Sequence, residues 1–215
     1  MFTNLETYQS RFWLKEEFLK KIGKSSSGFL LELFSRVDAL VDQDLVYYDH
    51  QMDMETCFEK YSFHEFKWHQ TPNGDMEWIF MLNRQGYLVD LAVAFYITKE
   101  EKYLKKWKEI VFDFILENEK EISHPEASWR VLDAGIRLMN WVKSLTYLPL
   151  SKFSEVERKQ IQEAMSLHVN YIRTHLQEKH LLSNWGVLAV SGVLSFVYFF
   201  DEQPELYLWA KETLL

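Results

Sequence analysis

Along most of the 215-residue chain, apolar residues return every three to four positions, the spacing that lines one face of an α-helix. Clusters of breaker residues at 23–28, 72–75, 123–128, 149–154 and 201–204 interrupt this pattern. The spacing predicts helices over 8–22, 29–43, 76–97, 100–119, 128–147, 154–176, 184–200 and 204–215, and no comparable strand signal is present. Ser154 ahead of Glu155 and Glu157 offers an N-cap with an acidic first turn, and Ser183 or Asn184 can cap the helix that follows. Between Asp44 and Asp75 the chain is aromatic and aperiodic, and reads as a loop of the length that tends to carry function.

Short turns between long helices imply antiparallel neighbours, so 76–97 with 100–119, 128–147 with 154–176, and 184–200 with 204–215 form three successive hairpins. Glu101-Lys102-Tyr103-Leu104 and Glu205-Leu206-Tyr207-Leu208 echo one another at the start of the second helix of two of them. Stacked hairpins of this kind build an α/α toroid or solenoid. The expected fold is therefore all-α, an incomplete α/α toroid forming a single domain over 1–215 and continuing beyond the last helix.

Apolar residues make up 47% and charged residues 26% of the chain, enough for a core and a solvated surface. The aromatic share, 16% with eight Trp, exceeds what a helical core needs and leaves rings free to line a cleft, although for any single Trp core packing is the simpler reading. A net charge of −8 with dispersed Lys and Arg argues against a nucleic-acid partner. The run Val187 to Phe200 is too short to span a bilayer and reads as a buried helix, which also makes Tyr198 a core residue. Phe2 to Leu19 is broken by charges and forms no secretory signal, so a cytoplasmic location is the expectation. Cys57 stands alone, and His168 and His175 have no acidic partner at ligand spacing, so neither a metal nor a cofactor is expected.

Three segments carry further information: Lys67-Trp68-His69 followed by Asp75-Met76-Glu77-Trp78 and Met81-Leu82-Asn83-Arg84; Trp129-Arg130 through Asp133-Ala134-Gly135-Ile136-Arg137 to Asn140-Trp141; and His180-Leu181-Leu182-Ser183-Asn184-Trp185-Gly186 with Gly192. In order and spacing they resemble the N-terminal toroid of the heparinase II/III-like polysaccharide lyases. That resemblance implies β-elimination on an acidic, uronate-containing glycan, heparan sulfate-like or alginate-like. A base removes the proton beside the carboxylate, charge builds on the carboxylate oxygens, and an acid protonates the departing glycosidic oxygen. It also implies a catalytic Tyr and a further His, the rest of the toroid and a β-sandwich outside these residues, so that the chain is either the N-terminal part of a longer lyase or a stand-alone remnant inactive alone.

Donors at the carboxylate lower the cost of the enolate-like transition state. Asn184, at a helix start where backbone N–H groups are unpaired, is the candidate for that role, with a capping role as the alternative. The family commonly places His after this Asn; here Trp185 follows, and His180 is the nearby imidazole. Arg84 and Arg130 are candidates for holding a carboxylate or sulfate, against the alternative of an internal ion pair with Asp133, Asp90 or Glu77. Trp129, Trp185, Trp78, Asn83 and His69 complete the expected substrate-binding set, and His64 and His124 fall in irregular segments. A rival reading is a non-catalytic carbohydrate-binding or protein-interaction module on the same scaffold. An α/α-barrel hydrolase would need opposed carboxylates, for which Asp75, Glu77 and Asp133 are the nominees.

Overall fold

A computed structural model of the chain describes residues 27–46, 60–63, 68–118, 122, 124–200 and 204–214. The expected helix 8–22, Cys57, His64 and Lys67 lie outside the described residues. Among these residues the elements are α1 (Ser27–Gln43), β1 (Leu45–Val46), β2 (Tyr61–Ser62), α2 (Met76–Arg84), α3 (Tyr87–Thr98), α4 (Glu101–Glu117), α5 (Pro125–Ser128), α6 (Val131–Leu145), a 3-10 turn at Leu150–Lys152, α7 (Glu155–His175), α8 (Glu178–Leu181), α9 (Asn184–Phe200) and α10 (Pro204–Leu214). The fold is all-α, apart from a two-stranded antiparallel ladder pairing Leu45 with Ser62 and Val46 with Tyr61. That ladder lies inside the segment expected to be a loop, and two residues per strand are too few to register as a period.

The three expected hairpins are present as α3/α4, α6/α7 and α9/α10. Their first helices, α3, α6 and α9, pack side by side and run the same way. Tyr96 at the end of α3 meets Tyr147 just past the end of α6, and Arg130 ahead of α6 meets Trp185 at the start of α9. The α6–α9 crossing is unusually close. A methyl group on Gly135 would lie 2.5 Å from Ala189 Cα, and one on Gly192 would run into the backbone of Gly135. Only residues without Cβ let the two backbones approach so nearly.

The expected helix 76–97 is broken. Gln85 adopts a left-handed conformation, φ 54°, and separates α2 from α3, because past this point the chain turns to lay α3 against α4 and α6. The break strands the last carbonyls of α2. The hydroxyl of Tyr87 donates to Leu82 O, Arg137 Nη1 to Asn83 O, and Asn140 Nδ2 to Arg84 O, while Trp141 Nε1 donates to Gln85 Oε1. Residues 133, 137, 140 and 141 fall at i, i+4, i+7 and i+8, so α6 turns one polar stripe toward the end of α2.

Most of the tryptophans are core rather than cleft. Trp78, Trp107, Trp129 and Trp141 have no exposed surface and Trp68 has 4%. Trp107 donates to Ser144, Trp129 to Asn118 and Trp68 to Asp113, which removes the cost of burying an indole N–H. Tyr198, expected in the core, is instead 54% exposed and stands edge-on to Tyr207, since α9 packs through its opposite face onto α6. The expected N-cap at Ser154 is present, and Glu157 completes it as a capping box with bonds in both directions.

Candidate functional site

The three sequence segments singled out above meet at one end of the parallel helices. Asp133, fully buried in the first turn of α6, receives Arg84 Nε on Oδ1 at 2.8 Å and Arg130 Nε on Oδ2 at 2.5 Å. The internal ion pair weighed for these arginines is therefore present, with Asp133 as the shared partner; Asp90 pairs with Arg36 instead. Two guanidinium groups against one carboxylate leave one net positive charge, and both arginine side chains keep 18% of their surface exposed.

Each arginine is also held by a neighbour. Arg84 Nη1 donates to Met81 Sδ, and Arg130 Nη2 donates to Asp133 Oδ1. The Arg130 guanidinium lies over the Phe80 ring and 5.3 Å from the ring of Trp185. Arg84 Nη2 and Arg130 Nη1 have no protein acceptor among the described residues, so each remains available as a donor to an anion.

Trp185 is half-buried, and the His180 ring lies nearly parallel to it at 6.0 Å. His180 Nδ1 accepts the backbone N–H of Gln177 at 3.0 Å, so in the neutral ring the proton sits on Nε2. Burial, and then the neighbouring Lys179, hold its pKa below the usual histidine value, which keeps the ring neutral near pH 7. It is a donor at Nε2, not a base there.

Asn184 opens α9 and is exposed. The cap bond at this helix is made by its neighbour, with Ser183 Oγ accepting the N–H of Trp185 at 3.3 Å. Of the two capping candidates Ser183 is the one used, and the Asn184 side chain makes no hydrogen bond among the described residues. Arg84, Arg130, Trp185 and His180 thus gather in one patch, with Asn184 beside them.

Other expected site residues fall elsewhere. Trp78, Trp129 and Asn83 are completely buried and cannot touch a sugar in this conformation. Trp129 packs into the core against the tilted ring of His168 and edge-on to Tyr171, and Asn83 Nδ2 is spent on Trp68 O and Ile79 O. His69 stacks on His124 with centroids 3.6 Å apart, joining two of the irregular-segment histidines. Asp75 caps α2 by accepting the N–H of Glu77, and Asp133 is consumed by the arginines, so neither is poised as a hydrolase carboxylate. Among the described residues no three His, Cys, Asp or Glu gather as a metal-ligand group, and no helix is long and apolar enough to cross a membrane.

Sequence reasoning named Asp133 as an ion-pair alternative for the two arginines but passed over Phe80 as the platform under Arg130. The signal for Asp133 was its place three residues after Arg130, whereas no local spacing joins Phe80 to Arg130.

A helical toroid of stacked hairpins, with a cationic patch at its parallel helix starts, defines the class. The chain belongs to the heparinase II/III N-terminus family, whose model matches residues 29–214. No curated protein sequence matches it. Among solved structures it is similar to heparan sulfate lyase HepC from Pedobacter heparinus, at 18% identity and TM-score 0.69, over 85% of this chain and 28% of that one. It is likewise similar to a heparinase III gene product with methylated lysines, at 18% identity and TM-score 0.66, over 85% of this chain and 30% of that one. The chain thus spans less than a third of the length of these lyases, and at such identity the likeness establishes the shared toroid fold.

Proposed function

We propose that this chain is the glycan-cradling domain of a longer polysaccharide lyase, single over 1–215, that holds a uronate-containing polysaccharide for β-elimination. The observation that carries this reading is the uncommitted side chain of Asn184 beside a patch with one surplus positive charge. Arg84 Nη2 and Arg130 Nη1 reach a carboxylate or sulfate oxygen, Trp185 presents a face to a sugar ring, and the Asn184 amide donates to the uronate carboxylate as charge builds there. His180 donates from Nε2. The proton-abstracting base and the remaining catalytic groups come from the part of the lyase outside this chain.

The test uses the intact protein with heparan sulfate and, separately, with alginate, following the ultraviolet absorbance of the unsaturated uronate product. Asn184→Ala is expected to lower kcat by about 100-fold, as removal of a single transition-state donor does elsewhere. Its melting temperature should stay put, since surface substitutions away from special features stay within about 0.5 kcal/mol. Full turnover by Asn184→Ala defeats the assignment. Binding of either glycan with no product from the intact protein favours the non-catalytic module instead.

A further inference from the structure

Arg137 is a fully buried arginine with no salt-bridge partner among the described residues, a costly arrangement unless it performs a task. Its bonds define that task. Nη1 donates to Asn83 O at 2.8 Å and to Ser128 O at 2.9 Å, and Nε donates to His168 Nε2 at 2.7 Å. Asn83 immediately precedes Arg84, and Ser128 lies two residues before Arg130. A single guanidinium nitrogen therefore ties together the two backbone segments that carry the exposed arginines.

The guanidinium is clamped in turn. The rings of Phe114 and Trp129 lie 4.4 Å and 4.8 Å from its carbon. His168 is fixed by the bond between its Nδ1 and Ala164 O, which places the ring proton on Nδ1 and leaves Nε2 as the acceptor that Arg137 needs. The remaining titratable groups felt by Arg137 are Asp133, Tyr87 and Tyr171.

We infer that Arg137 is a positioning residue that sets the separation of Arg84 and Arg130 by bridging Asn83 O and Ser128 O, with His168 holding it in register. The effect on a glycan rests on the function proposed above; the effect on the two arginines does not.

The experiment is therefore run first without ligand. Nuclear magnetic resonance of arginine Nε–Hε groups in the full chain should give two distinct, slowly exchanging signals for Arg84 and Arg130, both bonded to Asp133. In Arg137→Lys, which keeps the charge but replaces the separate Nη1 and Nε donors by one ammonium nitrogen, both signals should move and exchange faster. Unmoved signals in the folded variant overturn the inference. Should that variant fail to fold, His168→Gln and His168→Leu pose the same question: Gln keeps an acceptor for Arg137 and should leave the signals in place, whereas Leu should move them. Identical spectra from these two also overturn it.

A heparan sulfate oligosaccharide is then added as probe, with Arg137→Lys expected to raise Kd about tenfold. If the unaltered chain does not bind this probe, the functional reading suffers while the resonance result stands. If the signals move and Kd does not, the inference stands and glycan binding through Arg84 and Arg130 is what falls.

Discussion

The close crossing of α6 and α9 can be tested with one methyl group. In Gly135→Ala the new carbon would sit 2.5 Å from Ala189 Cα, 3.0 Å from Leu188 O and 3.1 Å from Ala189 N. Carbon atoms pack favourably at about 3.5–4.0 Å, so the two helices must part by about 1 Å. All three obstacles are backbone atoms, which cannot rotate aside. Overpacking in a filled core costs about 1–3 kcal/mol, and this case belongs at the upper end. Alanine returns about 1 kcal/mol through its better helix propensity, leaving a net loss of about 2 kcal/mol. For a domain of this size that corresponds to a fall in Tm of about 4–8 °C. The control is Gly28→Ala, in the first turn of α1, where a Cβ meets nothing within 4 Å among the described residues and only a propensity gain acts. Urea unfolding of both variants should show Gly135→Ala destabilised and Gly28→Ala unchanged or slightly more stable. If the two behave alike, the backbone contact does not limit the crossing and the reasoning is wrong.

Asp133→Asn replaces the buried carboxylate that both arginines share, and one amide oxygen cannot neutralise two guanidinium groups. A loss of about 3 kcal/mol in urea unfolding is expected, at the low end for a broken buried pair because the arginines remain partly solvated; a loss under about 1 kcal/mol would contradict the shared-carboxylate arrangement. His168 predicts an acid dependence. Burial first, then the adjacent Arg137 charge, hold its folded pKa well below 6.5. Above pH 6.5 both states hold the ring neutral and it adds no slope. As pH falls below 6.5 the unfolded chain takes up a proton that the folded chain refuses, so stability declines, by at most about 1.4 kcal/mol per pH unit from this group, until the folded pKa is reached. Urea unfolding between pH 7.5 and 5 should show that decline in the native chain and a shallower one in His168→Gln; equal slopes would remove His168 as its source.

The helices were legible because burial of one face leaves a period of 3.6 in the sequence, and Ser154 with Glu157 carried an explicit start signal. The break at Gln85 was not, and the reason is physical. Gly86, the residue with a breaker's chemistry, is in ordinary helical conformation at φ −59°, while the left-handed turn falls on Gln85. What stabilises that turn is supplied from α6, by Arg137, Asn140 and Trp141 reaching the stranded backbone and the Gln85 side chain, and such long-range bonds leave no local pattern. The same limit governed the candidate site.

The three motif segments meet in one place, but the sequence could not separate residues that face outward from those that face the break at Gln85. Along Asn83-Arg84, one side chain is entirely buried in tying down Trp68 and the other keeps an exposed edge. Along Trp129-Arg130, the indole goes into the core and the guanidinium stays at the surface. In each pair a residue that builds the support precedes an arginine that projects from it. Arg137, the third arginine of the motif segments, bonds to the backbone of Asn83 and of Ser128, the residue before Trp129. An arginine kept inside a helical core is expensive to desolvate, and a hydrophobic replacement would also take the Arg137 donor away from Asn83 O and Ser128 O. On the inference above, the stripe on α6 maintains the spacing of the two outer arginines as well as the turn at Gln85.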